Sequence, residues 1–119
     1  MAWIPTGEID RSQRVVLNSN GGGTVTFEVR HANERWECSG VVCSSSQDIT
    51  QEPYPLARVH DGAQLSDAHR AGWTPIANQD TLSGRFVLDN GTDLYVTFAG
   101  GIPGTTCTAR ITGQSFAWR

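Results

Sequence analysis

Apolar and polar positions alternate most strictly in Thr24-Val-Thr-Phe-Glu-Val-Arg30. Val25, Phe27 and Val29 fall on one face and Thr26, Glu28 and Arg30 on the other, the period-two pattern of a half-buried strand. Arg14-Val-Val-Leu17 reads as a short strand before it, separated by the turn-forming run Asn18-Ser-Asn-Gly-Gly-Gly23. The last third repeats the pattern: Leu82, Phe86 and Leu88 share a face across Thr81–Leu88, and Leu94, Val96 and Phe98 alternate with Tyr95 and Thr97. Asp89-Asn-Gly-Thr92 between them predicts a tight hairpin, Asn-Gly being the strongest short hairpin signal. Gly100–Thr105 predicts a loop, and Cys107, Ala109 and Ile111 a further strand. Thr112-Gly-Gln114 breaks that strand, and Phe116-Ala-Trp118 closes the chain. In the middle, Tyr54–His60 predicts a weakly patterned strand. Ala63–Ala71 fits either a short helix stopped by Gly72 or an extended loop. Short strands about ten residues apart predict an all-β, jelly-roll type sandwich.

Composition agrees. The 119 residues fit one domain, 1–119, and include 13 Gly with 38% hydrophobic and 18% charged residues. The net charge is −3 and all nine cationic residues are Arg, with no basic cluster, so a nucleic-acid partner is not expected. No run approaches the ~20 apolar residues of a membrane helix, so membrane insertion is not expected either. The start, Met1-Ala-Trp-Ile-Pro5, lacks a basic segment followed by an apolar one, so no signal peptide is expected. Bacterial cytoplasm and non-classical export both stay open. Cys38, Cys43 and Cys107 leave three arrangements open: a Cys38–Cys43 bridge across a tight hairpin, a pairing of Cys107 with either, or thiols.

The sequence favours binding over catalysis. It lacks Gly-x-Ser-x-Gly, His-Glu-x-x-His, Walker and dinucleotide motifs. His60 and Asp61 are strand neighbours that would point to opposite faces. Glu34 and Glu37, the closest candidate carboxylate pair, are placed in a loop. Trp36 and Trp73 sit among polar and Gly residues, where a ring either caps the core or offers a flat apolar face to a sugar. Glu37 and the run Gln51-Glu52-Pro-Tyr54 would add polar contacts and a second ring. The cysteines lack the second close ligand pair that zinc needs, whereas the oxygens of Asp89, Asn90 and Asp93 and the Gly100–Gly104 carbonyls are candidate calcium ligands.

Two resemblances follow from quoted motifs. Gly72-Trp73 and Asn90-Gly-Thr-Asp-Leu-Tyr-Val-Thr-Phe-Ala-Gly-Gly101 resemble family 6 carbohydrate-binding modules. Met1-Ala-Trp3 and Val96-Thr-Phe-Ala-Gly-Gly-Ile-Pro-Gly-Thr105 resemble small bacterial galactose-binding lectins of the LecA type, whose calcium-binding loop holds the sugar. Gly100 and Gly101 stand where those lectins carry Asn and Asp, and Thr108 and Ala109 stand near their Asn pair. Both resemblances imply a galactose-binding-domain-like sandwich with a carbohydrate site at its loop end. Trp73 would be the stacking ring, with Trp36, Glu37, Thr105, Thr106 and Thr108 beside it. The expected function is therefore a lectin or carbohydrate-binding module, multivalent as a homo-oligomer. The alternatives are a non-catalytic structural or protein-interaction subunit and, less favoured, a hydrolase.

Overall fold

A computed structural model describes residues 1–46, 55–62, 69–73 and 79–119. Eight strands follow one another: β1 (Trp3–Val16), β2 (Gly23–Phe27), β3 (Glu34–Ser45), β4 (Leu56–Gly62), β5 (His69–Trp73), β6 (Gln79–Leu88), β7 (Asp93–Ala99) and β8 (Thr106–Trp118). They form two antiparallel sheets, β1-β8-β3-β6 and β2-β7-β4-β5. The pairs β1·β8, β2·β7, β3·β6 and β4·β5 are successive rungs of one long ribbon folded over on itself. The two sheets enclose one core as a β-sandwich. No helix occurs among the described residues, and His69–Ala71, read as helix or loop, belongs to β5.

The strictly alternating segments became strands for the reason their pattern gave. Val25 and Phe27 of β2, Leu94, Val96 and Phe98 of β7, and Cys107, Ala109 and Ile111 of β8 are buried, forming one core between the sheets with Val41, Cys43, Val59 and Leu88. Three local expectations are corrected. The Asp89–Thr92 turn forms, with reciprocal Asp89 and Thr92 backbone bonds of 3.2 Å, and Asp89 Oδ1 accepts from Gly91 N–H at 2.9 Å. It joins β6 of one sheet to β7 of the other, however, so it is a corner between sheets rather than a hairpin. Buried Leu88 and Leu94 on either side of it face the core from opposite sheets. The strand expected at Cys107–Ile111 runs unbroken to Trp118. The short strand at Arg14–Leu17 is the tail of a 14-residue β1.

β3 escaped the sequence reading altogether. Glu34 and Glu37 lie in this strand, not in a loop. Cys38 and Cys43 lie on the same strand, so no hairpin bridge joins them, and Cys107 is a thiol as well. An offset of five should put Cys38 and Cys43 on opposite faces. A register shift between Cys38 and Gly40 inserts one extra residue and returns both to the core.

Burial pushes the Cys38 thiol up to about 11 and raises Cys107, the latter opposed by a hydrogen bond with Ser45. The folded chain therefore holds Cys38 neutral where the unfolded chain ionises it. Its stabilising contribution is complete below the ordinary thiol pKa and is lost as pH rises through about 11. At pH 8 a thiol reagent should label none of the three cysteines in the native state and all three in denaturant. Chemical stability should fall between pH 9 and 11. Rapid native labelling would contradict the buried placement.

Candidate functional site

The strand register separates the residues expected to share one site. Trp36 pairs with Ser115, nine residues along β8 from Thr106, a distance of about 30 Å at the rise of an extended strand. Trp36 and Glu37 therefore sit at one end of the sandwich and Thr105, Thr106 and Thr108 towards the other. β8, an uninterrupted strand, holds them apart. Trp36 and Glu37 also part company as strand neighbours. Trp36 turns inward, 7% exposed, while Glu37 lies in a shallow outer depression with Glu8, Asp10, Ser39, Arg110 and Gln114. Glu37 forms an ion pair with Arg35 at 3.8 Å. The expected convergence of Trp36 and Glu37 with the Gly101–Thr106 loop is thus corrected.

The loop end around Thr105 is tightly bonded. Leu17 N–H donates to Thr105 O at 2.8 Å, Gly104 N–H to Leu17 O at 2.9 Å, Gly101 N–H to Gly21 O at 3.0 Å and Thr106 N–H to Ser46 Oγ at 3.1 Å. Trp73 reaches this end: it pairs with Ala57, beside Leu56, whose own partner is Ala99. The Trp73 side chain lies outside the description, and Gln51, Glu52 and Tyr54 lie outside the described residues. Among the described residues, this end offers hydroxyls, amides and backbone groups, and Arg14, the ladder partner of Thr108, stands at its margin.

The oxygens considered for calcium are divided in the same way. Asp89, Asn90 and Asp93 occupy the β6–β7 corner at the Trp36 end, whereas the Gly100–Gly104 loop is at the other. Asp89 Oδ1 is bonded to Gly91 N–H, Asp93 Oδ2 accepts from the Tyr95 hydroxyl at 3.3 Å, and Asn90 Nδ2 donates to Val29 O at 3.3 Å. These residues do not fit one calcium site. No cluster of three metal-ligating side chains occurs among the described residues.

A different site emerges along the side of the sandwich. β1 ends one sheet and β2 ends the other, and between these outer strands runs a groove of about 780 Å³. Arg11, Gln13 and Arg14 of β1, Thr24 and Thr26 of β2, and Glu28, Arg30 and His31 of the following loop supply its polar wall. Val25, Phe27 and Trp36 form a buried apolar floor. Trp36 is anchored there: its Nε1 donates to Glu34 Oε1 at 2.7 Å, and the Arg11 guanidinium lies 5.6 Å from its ring centre. A cation over an indole face is held by the ring quadrupole, which fixes the direction of that guanidinium.

The groove opens where the inner face of β1 is not closed over by side chains of the second sheet. Arg11 pairs with Ile111 and Gln13 with Ala109, both of which face the core. Directly opposed residues share a face, so Arg11 and Gln13 are on the inner face of β1. They are nevertheless exposed, because they line the open groove across from residues 24–28 rather than packing against them. The available sequence signal was a pair of polar residues, Arg11 and Gln13, at i and i+2 between Ile9 and Val15.

No family model, curated protein or solved structure matches the chain.

Proposed function

We propose that this chain is a non-catalytic carbohydrate-binding module whose saccharide lies in the groove between β1 and β2. The observation that carries this reading is the groove's construction. Its volume lies within the ~300–1,000 Å³ of ligand sites, but its wall is polar over an apolar floor. Hydroxyl-rich ligands need many donors and acceptors at fixed angles. Three guanidiniums, a carboxamide, the Glu28 carboxylate and the outer strand backbones supply them. Arg forks bind paired oxygens with more directional constraint than a point charge does. Trp36 supports the site from below rather than stacking on the sugar, because it is buried and its ring is covered by Arg11.

Because binding would occur on a partly open surface, affinity per site should be on the order of 10⁻³ to 10⁻⁶ M. A glycan array followed by calorimetry tests the reading. Gln13→Ala and Arg30→Ala should each weaken a hit by roughly tenfold, the loss of about one well-placed hydrogen bond to a charged or amide group. Their unfolding midpoints should stay at the wild-type value, since both side chains are exposed. Thr105→Ala should leave binding intact, as should a chelator. A blank array with folded protein would refute the reading. Loss confined to Thr105→Ala would move the site to the loop end.

A second reading, an assembly subunit, draws its support from the free edge of β1.

A further inference from the structure

β1 is unusual for an outer strand. It has 14 residues against a typical ~5–6, and every residue from Ile4 to Gly7 and from Asp10 to Arg14 is exposed. Exposure of alternate residues is ordinary for a strand, but β1 is exposed on both faces at once, with only Ile9 buried between. Outer strands of stable monomers are usually short or blunted. Blunting of the backbone itself, by proline and by register shift, is confined to the first third; beyond it the edge carries charged side chains of both signs. Pro5 lacks an N–H, and the register with β8 shifts between Pro5 and Gly7. From Glu8 to Val16 the ladder to β8 is regular for nine consecutive residues, so the opposite edge of that stretch is equally straight.

We propose that this edge pairs with the same edge of a second copy of the chain, antiparallel, about a two-fold axis through Ser12. Two copies paired antiparallel along the same edge are related by an axis normal to the sheet. Such an axis keeps inner faces on one side, so residues of like parity oppose each other and the axis passes through a residue. Charge selects which residue. An axis through Ser12 sets Asp10 opposite the partner's Arg14, twice by symmetry, and Arg11 opposite the partner's Gln13. Ile9 then meets the partner's Val15 on the inner face. An axis through Arg11 opposes Arg11 to itself, and one through Asp10 opposes Asp10 to itself, both like-charge contacts that destabilise a pair. An axis through Gln13 sets Asp10 against the partner's Val16 and forms no ion pair. Arg110 of β8 holds both Asp10 oxygens at 2.7 Å, so the partner's Arg14 would join an existing ion pair through the remaining lone pairs of that carboxylate. The pairing joins the two sheets that contain β1 into one eight-stranded sheet. It also carries the groove of one copy, walled by Arg11 and Gln13, into that of the other.

Sedimentation and cysteine trapping test this without any ligand, so their outcome is separate from that of the saccharide reading. The wild-type chain should sediment at twice its 12.9 kDa mass. Ser12→Cys places two thiols on directly opposed residues, whose Cα atoms in an antiparallel pair lie about 4.5 or 5.5 Å apart, within disulfide reach. Mild oxidation should convert most of that variant to a covalent dimer. Ser39→Cys, exposed elsewhere on the sheet, should remain uncrosslinked. The three native cysteines are buried and should not interfere. Arg14→Glu, which opposes the partner's Asp10 with a like charge, should weaken the dimer by roughly tenfold or more. A monomer at all concentrations would overturn the proposal. A dimer that Ser12→Cys traps no faster than Ser39→Cys would overturn it as well, by placing the contact elsewhere.

Discussion

Trp36→Ala is expected to lower unfolding stability by about 3–5 kcal/mol, the range for removing a large aromatic from a packed interior. Trp36 is 7% exposed and belongs to the continuous core. Its removal leaves a void beneath the groove, takes the indole N–H from Glu34 and withdraws the ring that orients Arg11. Against a total of about 5–15 kcal/mol for a domain, this loss is a large fraction. The denaturation midpoint should fall accordingly, and saccharide binding should decline with the population of folded chain. Trp36→Phe retains most of the apolar volume and loses the hydrogen bond, so about 1–2 kcal/mol should suffice to describe it. A Trp36→Ala chain with wild-type stability that had lost glycan binding would contradict this placement. It would return Trp36 to the stacking role expected from its polar neighbours.

That expectation illustrates what the sequence could reveal. In Arg35-Trp36-Glu37, charged residues flank the ring and make it look exposed. In a strand the flanking residues point the other way, so polar neighbours say nothing about the face the ring occupies. Where a strand is covered on one face only and meets no bulge, as in β2 and β7, alternation is clean and the strand is legible. β1 was illegible because its inner face lines an open groove instead of a closed core. Arg11 and Gln13 occupy positions that would be apolar under a cover, and the pattern disappears with the cover.

The groove was hidden for a related reason. Its walls come from residues 11–15, 24–28, 30–31, 34 and 36, brought together by a topology that sends β1 and β2 to outer positions in different sheets. The Gly100–Thr105 loop, a local feature, was read correctly. Its assignment to a site with Trp36 depended on long-range register and failed. The turn at Asp89–Thr92 shows the same division: its geometry is encoded in four residues, but whether it closes a hairpin or turns a corner depends on which sheet each flanking strand joins.

Gly113→Ala is expected to destabilise the chain by roughly 3 kcal/mol, the upper part of the range for forcing extra atoms into a packed site. Gly113 lies in β8 between two partners, opposite Ile9 on β1 and Cys38 on β3. A Cβ there would overlap the Glu37 carbonyl oxygen and stand 2.7 Å from Cys38 Cα. Both are backbone atoms, so no rotamer change relieves the clash, and β3 and β8 must separate. Gly100→Ala provides the contrast. Its φ of 76° favours glycine, but nothing stands within 4 Å of an added Cβ, so only the backbone term of about 1–2 kcal/mol applies. Equilibrium denaturation of the two variants should separate these contributions. Equal, small losses would show that the strands do not approach so closely at Gly113. The position matters because it abuts the register shift between Cys38 and Gly40. That shift lets Trp36 and Cys38 on one side, and Val41 and Cys43 on the other, all face the core. The glycine that broke the sequence pattern of β8 is therefore where the sheet accommodates its bulge. Prying β3 from β8 there should disturb the floor of the groove through Trp36, two residues away on β3.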